Sequence, residues 1–233
     1  MRQPLILDYY SLLPECTVDA EPAKWAERYR RGLAKYQRAI EARYNEATLE
    51  RLLNSQAPEV RRAAVLALGL VAKMTANLAL AARLHDDDPQ VSEMAADALW
   101  SIWFRADSPE NNHELQRLMR LDVTPDTAEQ VLGEFQALIR RAPRFAEAYN
   151  QRAIVHFRLD EYGKAVLDCE KVLRLNPVHF GAAGGMAQCF MRQRKLRAAL
   201  RCFRRAYRIN PNLDGVPEAI QSIEKTLGDD GKR

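Results

Sequence analysis

Apolar residues in the second half of the chain recur at intervals of three and four, and the whole arrangement then recurs 34 residues later. Tyr149, Ala153 and His156 form one stripe, and Ala165, Cys169 and Val172 form the next. Shifted by 34 residues, these positions hold Ala183, Ala187 and Phe190, then Ala199, Phe203 and Ala206. Such spacing marks one face of a helix, so each unit predicts two helices, and the repetition predicts a stack of hairpins. The alanines let paired helices approach closely while the larger side chains fill the space between them. Pro143, Pro177 and Pro211 keep the same 34-residue interval and close each pair, because proline lacks an amide hydrogen and restricts the residue before it. A degenerate unit is expected ahead of these two, with helices over residues 110–121 and 125–141 that carry Val131, Phe135 and Leu138. A polar-faced closing helix is expected over residues 217–227.

A different period runs upstream. A shift of 31 residues superposes Leu49 on Leu80, Leu53 on Leu84, Pro58 on Pro89, Val60 on Val91, Ala64 on Ala95, Ala67 on Ala98 and Leu68 on Leu99. Both prolines fall at a first helical position, where a missing amide hydrogen costs nothing. Ahead of this pair, Trp25, Tyr29, Leu33, Tyr36 and Ile40 lie on one face of a helix predicted over residues 22–44, which caps the stack. The first 20 residues, with Tyr9, Tyr10, Leu12 and Leu13, either pack across that end or stay loose. Three segments follow: 1–45 with the capping helix, 46–108 with the shorter repeats, and 109–233 with the longer ones and their closing helix.

The run YGKAVLDCEKVLRLNP, residues 162–177, resembles the second helix of the tetratricopeptide repeat. Departures are Arg152 and Met186 where that family usually has leucine, His156 where it favours tyrosine, and Ala183 where it favours a large aromatic. The 31-residue units resemble short HEAT-like repeats. The implied fold class is all-α: an αα superhelix, or solenoid, of HEAT-like hairpins continuing into tetratricopeptide hairpins. The resemblance also implies a groove lined by the first helix of each unit. Read onto this chain, that lining comprises Arg117 and Arg120; then Glu147, Asn150, Gln151, Ile154, Phe157 and Arg158; then Gly181, Gly184, Gly185, Gln188, Met191 and Arg192. Asn150 and Ile154 stand where family members that clamp a terminal carboxylate carry lysine and asparagine, so binding of chaperone tails is not expected. Three glycines in one helix cost about 3 kcal/mol relative to alanine. Either close packing against a neighbouring helix or an open floor for an extended peptide would account for them.

Charge changes the picture more than composition does. With 47% apolar and 28% charged residues the chain can bury a core. Net charge is +4, split as −1 over residues 1–108 and +5 over 109–233. Between Met186 and Pro211 there are eight basic residues and no acidic one. Arg197, Arg201, Arg204 and Arg208 form a stripe about 200° around the helix from the core stripe of Ala199, Phe203 and Ala206, and Arg205 adds to it. That stripe is either a solvated outer face or a polyanion site, for which no interleaved aromatics are read.

Candidate chemistry is sparse. The longest apolar run, residues 63–72, is about half of what spans a bilayer, and the start of the chain lacks a leader-like core, so a cytoplasmic protein is expected. Cys16, Cys169, Cys189 and Cys202 are widely spaced and read as reduced, buried thiols. The His-Glu pairs of a di-iron site resembling that of deoxyhypusine hydroxylase are replaced by Arg62-Ala63 and Glu93-Met94, and His113-Glu114 stands alone. His85 with Asp86, Asp87 and Asp88 reads as an acidic helix cap before Pro89 in preference to a cation site. No catalytic residue, metal or cofactor is expected. The resulting reading is a non-enzymatic scaffold or adaptor whose concave groove binds an acidic or polar segment of a partner protein, with no membrane involved. The alternative is nucleic-acid or polyanion binding through the arginine stripe, and a helper subunit of an enzyme is a third.

Overall fold

The computed structural model describes residues 4–14 and 21–230; Cys16 lies outside them. All regular structure among the described residues is helical, and the chain divides into two compact units between Ile102 and Trp103.

In the first unit the 31-residue period is written into the helix boundaries. Helix α3 (Glu46–Leu52) is matched by α5 (Asn77–Ala82), and α4 (Pro58–Val71) by α6 (Pro89–Phe104), whose last two residues pass into the second unit. The six apolar pairs related by the shift are all buried, because each hairpin can hide its stripe only against its neighbour. Gly69 lets α4 and α6 meet: a Cβ there would lie 2.9 Å from Cβ and 3.0 Å from Cα of Ala98. At the open end α2 (Pro22–Arg43) covers α4 as expected. The start of the chain, left undecided by pattern alone, forms α1 (Leu5–Tyr10), which buries Ile6 and packs on α2 and α4. Tyr10 meets Tyr36 edge-on, and the Tyr36 hydroxyl donates to the Ala63 carbonyl at 2.7 Å.

The acidic run before α6 caps the helix and does more. Asp88 accepts from the Val91 amide at 2.9 Å, as a cap does, and also from Arg62 Nε at 3.0 Å. The Arg62 guanidinium holds the Asp88 carboxyl down to about 2. Burial alone would push Asp86 up, but hydrogen bonds from Arg61 and the Asp88 amide, among others, outweigh it and hold the group below its ordinary value. Both groups therefore bind protons more weakly folded than unfolded. Their contribution is complete above about pH 4 and is lost as pH falls toward 2. Urea midpoints measured from pH 7 to pH 2 should stay level down to about pH 4 and then drop steeply. Asp88→Asn should flatten that drop; an unchanged acid limb in this variant would contradict the assignment.

In the second unit the hairpin of α9 (Ala146–Arg158) and α10 (Tyr162–Leu175) reappears as α11 (Phe180–Arg192) and α12 (Leu196–Ile209), with each of the four boundaries displaced by 34 residues. The turn within each hairpin repeats as well. Asp160 and Arg194 take left-handed backbone angles, φ 57° and 58°. The next amide, of Glu161 or Lys195, then bonds back to the carbonyl of His156 or Phe190 at 2.9 Å, which closes the helix end. All the paired stripe positions are buried except Phe190, which is partly covered. Arg152, at a position the family gives to leucine, donates to Asp168 at 2.5 and 2.7 Å. The cation thus crosses from α9 to a buried carboxylate on α10.

Upstream, α7 (Pro109–Leu118) is shorter than expected, and α8 (Ala128–Arg141) starts three residues late. Thr124 and Thr127 explain the delay: the Thr124 amide donates to Thr127 Oγ1 at 2.9 Å, and that hydroxyl donates to the Asp122 carbonyl at 2.8 Å. The first turn is therefore taken up by side-chain bonds. Helix α13 (Val216–Asp230) closes the unit against α12. Cys169, Cys189 and Cys202 are buried free thiols, and burial pushes Cys169 far up and Cys189 to about 11, so neither is reactive near neutrality.

Candidate binding face on α9 and α11

Helices α9 and α11 are the first helices of their hairpins, and they pack side by side. Their N-terminal ends are closed by the chain itself. Glu147, wholly enclosed, accepts from Asn150 Nδ2 at 2.9 Å, Gln151 Nε2 at 2.7 Å and His179 Nε2 at 2.9 Å. His179 Nδ1 accepts from the Ala182 amide at 3.0 Å, which assigns the ring proton to Nε2. Trp103 lies flat on the His179 ring, 4.2 Å between centroids, and against Phe180 at 5.2 Å. Glu147 and Asn150, expected on the groove surface, are thus buried in a polar network, with Asn150 5% exposed.

Past this closed end the face opens. Ile154 is 39% exposed; Arg158, Gln188 and Arg192 are exposed; and Gln151, Phe157, Gly181 and Met191 are half-covered. At Gly184 an added Cβ would meet nothing within 4 Å, and at Gly185 only Cys169 Sγ, at 3.9 Å. Tight helix packing therefore does not explain these two glycines, in contrast to Gly69. Arg192 Cζ sits 5.6 Å from the Phe157 ring centroid and 5.9 Å from that of Tyr162, whose rings meet edge-on. Stacking positions the guanidinium without neutralising it. Of the two upstream arginines, Arg117 is paired with Glu114 at 2.9 Å and with Glu134, while Arg120 falls in the turn after α7.

The arginine stripe lies on the outside of α12, with Arg197, Arg201, Arg204 and Arg208 exposed. Arg204 donates to Glu224 at 2.6 Å, and Arg208 Nε to the Arg204 carbonyl at 3.4 Å. Arg205 turns away from the stripe toward the Pro177 carbonyl at 3.5 Å. Tyr207 was missed by the sequence reading. It stands 39% exposed and lines one depression with Arg201, Arg204 and Arg208. No group of three or more His, Cys, Asp or Glu among the described residues is arranged to hold a metal ion. No helix among them is long and apolar enough to cross a membrane.

Comparison with known proteins agrees with this architecture. A family model for HEAT repeats matches residues 45–133, running on through α7 into the beginning of α8, and a tetratricopeptide repeat model matches residues 146–179. A TPR repeat-containing protein of Rhizobium etli is 36% identical over 85 residues, which are 36% of this chain and 42% of that protein. Sperm-associated antigen 1 of Mus musculus is 32% identical over 82 residues, 35% of this chain and 9% of its own length. The match thus spans less than half the length of either relative. Among solved structures, the first TPR of Spaghetti (RPAP3), bound to an HSP90 peptide, is similar with a TM-score of 0.48 at 18% identity, over 52% of this chain and 96% of that one. By the two family matches, the chain is a helical-repeat protein that carries HEAT repeats over residues 45–133 and a tetratricopeptide repeat over residues 146–179.

Proposed function

We propose that this chain is a non-enzymatic adaptor whose α9–α11 face binds an extended, acidic or polar segment of a partner protein. The observation that carries the reading is the open space above Gly184, with only an ordinary contact to Cys169 Sγ at Gly185. Glycines there give up helix propensity without a packing return and leave the backbone open to close approach by an extended segment. Gln188, exposed on α11, supplies an amide that can bond to a peptide backbone, while Gln151 Nε2 is held by Glu147. Arg158 and Arg192 supply the cations, and Arg192 is held in place by the Phe157 and Tyr162 rings, which favours carboxylates over neutral side chains.

Selection from a displayed library of random peptides against the full chain tests this. Polar, acid-rich sequences should be enriched, and Gly184→Leu or Arg158→Glu with Arg192→Glu should each abolish the enrichment. An enriched set unaffected by all three changes would refute the reading. Stability offers an independent check. Gly184→Ala and Gly185→Ala should each stabilise the chain by about 1 kcal/mol, since the new methyl group displaces nothing, while weakening the selected peptide. Loss of stability would show that the glycines serve packing after all.

A further inference from the structure

The outer face of α12 carries a second site. Along its exposed side Arg197, Arg201, Arg204 and Arg208 follow one another over about 16 Å. Two shallow depressions adjoin there and share Arg201: one also lined by Arg204, Tyr207 and Arg208, the other by Arg194, Lys195 and Arg197 among others. Among the described residues Arg197 and Arg201 have no carboxylate partner, and Arg204 is paired with Glu224. An exposed cation row of this density attracts anions whose charges repeat along it. Tyr207 adds what a bare cation row lacks. Its ring is displaced about a quarter turn from the arginine line, so it flanks the row and presents an aromatic surface beside the charges.

We propose that this face binds single-stranded nucleic acid, with the arginines on successive phosphates and one base stacked on Tyr207. Repeating charge and an aromatic platform in one depression are the two elements by which single strands are held without sequence preference. An acidic peptide or an inorganic polyphosphate would use the arginines and leave the ring idle. A duplex keeps its bases stacked inside and would gain nothing from Tyr207 either.

The test is fluorescence anisotropy of the full chain with a labelled oligothymidylate of about 12 nucleotides, a length within the range single-strand modules cover. Binding should weaken log-linearly with salt, with a slope of about −2 to −3, as expected for three to four phosphates on a single strand. Tyr207→Ala should weaken the oligonucleotide about five-fold or more, the loss of one stacked base, and Tyr207→Trp should restore it. Neither change should alter the affinity for polyphosphate of similar length. Arg197→Glu with Arg201→Glu should abolish binding while leaving the thermal midpoint unchanged, since neither arginine is paired with a carboxylate among the described residues. Three results would overturn the proposal: no binding at low salt, binding that ignores Tyr207, or equal retention of polyphosphate or polyglutamate with the same response to every variant.

Discussion

Asp86→Ala should lower the stability of the first unit by about 3 kcal/mol, the usual range for removing one partner of a buried ion pair. The Asp86 side chain is 2% exposed and the Arg61 side chain 7%. Arg61 reaches Asp86 with Nε at 3.0 Å and Nη2 at 2.6 Å, while Nη1 bonds the Ser55 carbonyl at 3.0 Å. With Nη1 also bonded to the Gln56 carbonyl at 3.3 Å and Nη2 to Asp87 at 2.5 Å, all five donors of the fork are matched, and the turn before α4 is tied to the turn before α6. Without Asp86 the guanidinium keeps its backbone acceptors and the exposed Asp87 but loses the enclosed carboxylate that answers Nε and Nη2, and Arg83 loses its partner as well. Asp87 makes the control. It also touches Arg61, at 2.5 Å, but its side chain is 91% exposed, so Asp87→Ala should change stability by less than about 0.5 kcal/mol. Urea denaturation of the two variants decides the matter: equal shifts in midpoint would mean that Asp86 is only one more surface acid. A further variant, Arg61→Met with Asp86→Leu, should recover part of the loss, because an apolar pair of similar size needs no charge balance.

The helical architecture was legible because each period writes itself directly into burial. Leu49 and Leu80, or Cys169 and Phe203, had to be inside whatever the relative tilt of their helices, and they are. Buried charge was not legible. Asp86 answers Arg61 from 25 residues away, and Glu147 answers His179 from 32 residues away. A periodicity that sorts residues into wet and dry faces assigns every charge to the wet one, so it marks neither Arg61 nor Asp86 as buried and places Glu147 in the groove lining. The glycines of α11 illustrate the converse. Sequence reduced them to two physical explanations, and only the distance from each absent Cβ to its neighbours separates the two. Tyr207 escaped because it falls one residue before Arg208, off the stripe by roughly a quarter turn, while its exposure depends on how α12 sits in the unit. The late start of α8 depended on the reciprocal bonds of Thr124 and Thr127, which propensity does not weigh.

Glu147→Ala should be strongly damaging to the second unit, costing about 3 kcal/mol, because buried donors lose their shared acceptor. Its carboxylate is the common acceptor for three donors, and neither it nor the His179 side chain has any exposed surface. His179 cannot adapt by shifting its proton, because Nδ1 is already the acceptor that caps α11 through the Ala182 amide. Truncating Glu147 therefore takes the carboxylate acceptor from the buried His179 Nε2–H, with Trp103 stacked on the ring. Glu147→Gln should fall between the variant and the parent. One amide oxygen can still accept, but its NH2 group must then point at Asn150, Gln151 or His179, all of which are donors there. Thermal and urea unfolding of both variants, followed by far-UV circular dichroism, would rank them. A cost below about 1 kcal/mol for Glu147→Ala would mean that the enclosure is not rigid and that water satisfies His179. If Glu147 instead served as a ligand contact, as its place in the repeat first suggested, the alanine variant would fold as well as the parent and differ only in peptide binding. The two accounts thus predict opposite outcomes in an experiment that requires no knowledge of the partner.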